Sequence, residues 1–126
     1  MLSRSPMTTI LPVVDMARAR EFYEKRLGLG AGRAKADGKF EYRLGDATLA
    51  LFQRGAATKA DHTAVSFAVK DIRKAIADLE SRGVGFHDYD LPGLKTVDHV
   101  CVLGSEKAAW VSDPEGNILC IHEDVG

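Results

Sequence analysis

Between Thr8 and Val14 the chain reads Thr-Thr-Ile-Leu-Pro-Val-Val, an apolar and β-branched run that predicts a strand. Pro12 within it points to an edge position or a bulge. Asp15 then stands where a helix N-cap belongs, and Met16, Ala19, Phe22, Tyr23 and Leu27 recur at helical spacing. Gly28 is a natural stop, so a helix is expected over about 16–27. From Gly30 the period shortens. Segments 31–36 and 39–44 flank Asp37-Gly38, a two-residue hairpin signal, and Gly45-Asp46 marks the turn into a third strand at 48–53. Residues 55–61 are small and polar and read as a connector.

The pattern then begins again. Residues 63–69 predict a strand, Asp71 a cap, Ile72, Ala75, Ile76 and Leu79 a helix face, and Gly83 its stop. Val14-Asp15 is matched by Lys70-Asp71 at an offset of about 56 residues, and Gly28 by Gly83. Further strands are expected at 84–89, 97–103, 108–112 and 118–122, with a loop at 90–96 containing the turn signal Pro92-Gly93. The last strand follows Asp113-Pro114-Glu115-Gly116-Asn117, a turn sequence. The whole chain, 1–126, is read as one domain of two βαβββ modules, about 8–55 and 62–123.

Strand parity then divides the residues. Leu11, Val13, Val65, Phe67 and Val69 can face the helices. Thr8, Ile10, Pro12, Thr48, Ala50, Phe52, Ala64, Ser66, Ala68, Ile118, Cys120 and His122 form a lighter, more polar set. The expected class is therefore α+β: a curved mixed sheet around a cleft, with helices on the convex side and room for a ligand on the other.

Composition changes this picture little. The chain has a net charge of −1 and no Lys/Arg run, which argues against nucleic-acid binding. Two cysteines, Cys101 and Cys120, do not make a disulfide framework. No signal peptide or membrane-spanning run is evident, so a reduced, cytoplasmic protein with no membrane partner is expected. Residues 1–6 lack periodicity and are expected to trail at the surface.

Two tandem βαβββ units, V-x-D at each strand-to-helix junction, Glu21-Phe22-Tyr23 in the first helix and the Asp-Pro-Glu-Gly-Asn turn together resemble the vicinal oxygen chelate superfamily. This is the group of glyoxalase I, bleomycin-resistance proteins and extradiol dioxygenases, and the resemblance spans about Thr8 to Glu123. It implies a homodimer, and in the enzymes a divalent metal held by side chains from four strands, acting as a Lewis acid. The corresponding positions here are Thr8, Ala50, Ala64 and Cys120. Two have no donor atom, so no metal and no other cofactor is expected. His62 and His122 lie two residues from the family positions. In parallel strands they diverge by four residues, or roughly 13 Å, too far to share an ion.

The same comparison implies a metal-independent small-molecule-binding protein, akin to the drug-sequestering branch. The ligand contacts expected are His62, Ser66, Trp110, Cys120 and His122, with Phe52 and Tyr42 stacking. Strand parity leaves either Trp110 and Ser112 or Ala109 and Val111 on the ligand side, and Trp110 is preferred. The alternative is an enzyme: a lyase, isomerase or dioxygenase with displaced ligands, or metal-free acid–base chemistry through His122, His62 or Cys120. His87 and His99 beside Asp88 and Asp98 read as surface pairs.

Overall fold

A computed structural model describes residues 1–126. The chain divides into two compact units, one of residues 1–59 with 114–116, the other of residues 60–113 with 117–126.

In the first unit, β1 (Thr8–Val13) leads into α1 (Met16–Glu21), followed by β2 (Arg33–Ala34), β3 (Phe40–Leu44) and β4 (Ala47–Gln53). The sheet order is β1-β4-β3-β2, with β1 and β4 parallel and the other pairs antiparallel. Alternation sends Leu11, Val13, Phe40, Tyr42, Leu49 and Leu51 to the buried helix side, where Ala19, Phe22 and Tyr23 meet them. The second unit repeats the plan: β5 (Thr63–Ala68), α2 (Ile72–Ser81), β8 (Cys101–Leu103), β9 (Glu106–Ser112) and β10 (Ile118–Asp124), ordered β5-β10-β9-β8. A small hairpin, β6 (Asp90–Leu91) with β7 (Leu94–Lys95), is inserted after α2. Each unit is a βαβββ module with its helix against one face of a mixed sheet. The α+β class and the repeat read from the sequence are those of the structure.

Both helices begin at their Asp. Asp15 Oδ1 accepts from the Arg18 amide at 3.1 Å, and Asp71 Oδ1 accepts from the amides of Arg73 and Lys74 at 3.2 Å. Each junction also receives a glutamate from the C-terminal part of the chain. Glu115 accepts from the amides of Val14 and Asp15 at 2.9 and 2.7 Å and pairs with Arg18 at 2.9 Å, its side chain 1% exposed. Burial works against its charge, but the Asp15 amide, Arg18 and the Val14 amide together hold its carboxyl below the usual range. Glu123 accepts from the Ile72 amide at 2.8 Å. The turn before β10 is closed by Asp113, whose carboxylate accepts from the backbone and side-chain amides of Asn117, both at 2.8 Å. Gly116, at φ +87, supplies the left-handed step.

Several boundaries differ from the sequence expectation. The first helix is α-helical only to Glu21, and residues 22–26 widen into a π turn in which the Leu27 amide bonds Phe22 O at 2.9 Å. Phe22 and Tyr23, adjacent in sequence, are both buried there. Segment 84–89 is not a ladder strand. The Val84 amide instead closes α2 by bonding Leu79 O, and only the His87 amide reaches β9, at Trp110 O. Segment 97–103 keeps only β8 because Val97 and Val100 bond each other across Asp98 and His99, at φ +51 and +72. Segment 31–36 pairs only at Arg33–Ala34. No helix is long and apolar enough to cross a membrane.

Candidate ligand-binding face

In the second unit Ser66, Cys120 and Trp110 lie side by side across β5, β10 and β9, since Cys120 is in register with both. Their flanking neighbours Val65, Leu119 and Val111 point to the helix side. His122, one row along, bonds Ser66: Nδ1 to Oγ is 2.6 Å. Ser66 is exposed and His122 half-buried, so the pair is presented at a surface. A hydroxyl and an imidazole in this contact offer a ligand both donor and acceptor capacity whichever tautomer is present.

Trp110 forms one wall. Its Nε1 donates to Thr63 Oγ1 at 3.1 Å, and the Tyr89 ring meets it edge-on, centroids 5.5 Å apart at 86°. Ser112, next along β9 on the same face, contacts His87 Nε2 at 2.7 Å. Cys120 is the floor, 5% exposed. Burial pushes its thiol up, more than the contact with Ser66 pulls it down, and Sγ lies 3.4 Å from Ile121 O. A neutral thiol of that kind is a poor nucleophile, and its candidate base, His122, is engaged by Ser66.

Ser66, Cys120, Trp110 and His122 thus come together, and the other expected contacts do not join them. Tyr42 must be corrected. It is 1% exposed on the helix side of the first unit, stacked on Tyr23 and donating to Glu24 Oε2 at 2.8 Å, so it cannot stack a ligand. Phe52 is half-buried on the helix-free face of the first unit. His62 precedes β5, while His122 lies level with Ala68, six residues further on. At strand rise that is ~20 Å, wider than the sequence suggested, because Cys120 stands level with Ser66 rather than Ala64, one residue of that difference coming from the slip between Ile118 and Leu119. The surface pairs expected of His87 and His99 with the aspartates beside them take another form: His99 contacts Asp88 and Glu80 on α2, and His87 contacts Ser112.

The metal-binding positions of the resembling family fail on donor chemistry. Ala50 and Ala64 carry only methyl groups, Thr8 is a weak neutral donor, and the Cys120 thiol is held protonated. No group of three or more His, Cys, Asp or Glu side chains is placed to hold an ion. The residues present do not fit a divalent metal at the family site.

The fold and this face define the class. A model of the Glyoxalase/Bleomycin resistance protein/Dioxygenase superfamily matches residues 6–121, and the chain belongs to that superfamily. No curated protein matches it. Among solved structures, a glyoxalase/bleomycin resistance protein/dioxygenase from Alicyclobacillus acidocaldarius is similar at TM-score 0.72 and 14% identity, covering 98% of this chain and 93% of that one. The glyoxalase family protein from Enterococcus faecalis follows at 0.69 and 20%, covering 98% and 100%. Lactoylglutathione lyase from Agrobacterium tumefaciens gives 0.68 and 19%, covering 95% and 93%. At these identities the likeness establishes the fold.

Proposed function

We propose that this chain binds a small planar molecule, aromatic or amphipathic, on the helix-free face of β5, β10 and β9, without a metal. The observation that carries this reading is the Ser66–His122 hydrogen bond set beside Trp110 on one sheet face. A ring stacked on Trp110 would place a polar substituent over the pair, with Cys120 as the apolar floor. The donor-poor residues at the family's metal positions support the metal-free part of the reading.

A thermal-shift screen of planar aromatic compounds tests it, because a ligand that binds only the native chain raises the unfolding midpoint. Trp110→Ala is expected to weaken a hit by about tenfold, the equivalent of about 1.4 kcal/mol of stacking. Divalent cations alone are expected to leave the midpoint unchanged. A stoichiometric cation that raised it would overturn the metal-free reading. A hit indifferent to Trp110 would move the site elsewhere.

One observation favours a second reading. The other ring nitrogen of His122 makes no hydrogen bond within the protein, and His122 shares the sheet face of Ser66 and Trp110, a placement open to a general acid or base. Loss of a detected turnover in His122→Ala, with binding retained, would select it.

A further inference from the structure

His99 stands at the meeting point of α2 and the loop that carries Tyr89. Its Nδ1 lies 2.9 Å from Asp88 Oδ1 and its Nε2 lies 3.2 Å from Glu80 Oε2. Both ring nitrogens therefore face carboxylates. A neutral imidazole has one N–H and can satisfy only one of them, whereas the protonated ring donates to both. The ring is stacked on Phe86, centroids 5.6 Å apart at 25°. His99 and Asp98 are both left-handed and lack the freedom of glycine, a conformation that the surrounding contacts must hold.

From Asp88 the contacts continue to Trp110. Thr96 Oγ1 is 3.2 Å from Asp88 Oδ1 and accepts from the Tyr89 amide at 2.9 Å, and the Thr96 amide bonds Tyr89 O at 2.9 Å. Tyr89 then sets its ring edge against Trp110. We infer that His99 is a positioning residue for the Trp110 face, whose protonation clasps the Asp88–Thr96 loop to α2 and thereby fixes Tyr89 against Trp110. This rests on the reading of that face as a ligand site, and adds pH control to it.

The charged surroundings agree in direction. Asp88 raises the affinity of His99 for its proton, burial opposes it, and Glu80 adds to Asp88. Arg73 on α2 opposes protonation from the depression on one side. Asp98 in the turn favours it, and Asp90 and Lys95 on the hairpin contribute opposite signs from the other depression. With its folded value raised, the clasp is fully closed below the ordinary imidazole range and opens as pH rises through the folded value.

Trp110 is the only tryptophan, so emission and acrylamide quenching of the full chain without ligand report this contact directly. The expected result is a transition centred above the ordinary imidazole value, with quenching greater on the alkaline side. Because His87 and His122 also stand near Trp110, the decisive result is a displacement. Asp88→Asn lowers the midpoint, Glu80→Gln lowers it less, and His99→Gln removes the transition. A wild-type chain with no transition, or one whose midpoint ignores Asp88→Asn and Glu80→Gln, overturns the inference. If far-UV dichroism shows His99→Gln unfolded, the two carboxamide variants decide alone. The ligand site is judged separately by the thermal-shift screen: a shifting transition with no hit leaves the clasp standing and removes only the binding reading.

Discussion

The two units share strand order and the Asp-capped strand-to-helix junction, but they put their functional groups in different places. In the first, the notable polar network lies on the helix side. Glu24 joins Arg20 and the Tyr42 hydroxyl, both at 2.8 Å, and the Arg20 guanidinium sits 3.8 Å above the Phe40 ring. Its helix-free face offers Ile10, Ala50 and Phe52, with the Arg33–Glu41 ion pair at 2.7 Å toward the edge. In the second, the helix side is apolar, from Ile72, Ile76 and Leu79 to Val111, Leu119 and Ile121, and the histidine, serine and tryptophan lie on the other face. Where Ile10 pairs with Ala50 in one unit, Ser66 pairs with Cys120 in the other. A shared register fixes which positions adjoin and leaves their chemistry open.

Removing the junction glutamates tests this contrast most severely. Glu115→Ala strips a buried acceptor from two amides and a partner from Arg18, and is expected to cost about 3 kcal/mol in urea unfolding. Glu123→Ala removes one acceptor and should cost about 1 kcal/mol. Equal losses would mean that the two junctions are energetically alike. Tyr42→Phe comes next. It breaks one hydrogen bond inside the first unit, so about 1 kcal/mol of stability should go while ligand affinity stays unchanged. A loss of affinity would place the site in the first unit after all.

The smallest effect is a pH asymmetry. The Arg20 hydrogen bond, opposed by burial, holds the Glu24 carboxyl low, and Arg33 does the same for Glu41, as Glu115 is held low at its junction. Depressed carboxyls stabilise fully above their unfolded values near 4.5 and lose that contribution as pH falls through the lower folded values. All three belong to the first unit, so acid should loosen that unit first, whereas His99 makes the second responsive on the alkaline side. Hydrogen exchange at pH 3.5 and pH 8.5, resolved by segment, would show the asymmetry or its absence.

The repeat, both Asp caps and the parity of β1, β4, β5 and β10 were legible because they are local periodicities. Phe40 and Tyr42 share a parity and were open to a core reading. Tyr42 follows from the same logic: the two-residue turn Gly45-Asp46 sets it opposite Leu49, on the core side, so its burial is legible from the turn and its reading as a stacking residue is not. Cys120 could be named as the residue in place of a carboxylate, but its partner could not, since the slip at Ile118/Leu119 leaves no mark in the sequence. The pairing of His99 with Glu80 depends on a turn of two left-handed residues that carry no glycine to announce it. Nothing near residue 115 indicates that its carboxylate belongs to a helix beginning a hundred positions earlier.

That carboxylate has a consequence for how the chain is made. The first unit includes residues 114–116, and Glu115 supplies the acceptor for the amides at the mouth of α1. During synthesis the N-terminal strands and helix leave the ribosome long before it. The usual order, in which the earlier part folds as it emerges, is therefore available to this unit only in an incomplete form. Its first junction waits with two donors lacking that acceptor until residue 115 has been translated. A nascent chain stalled before position 115 should hold a looser first unit than one in which that position has left the ribosome.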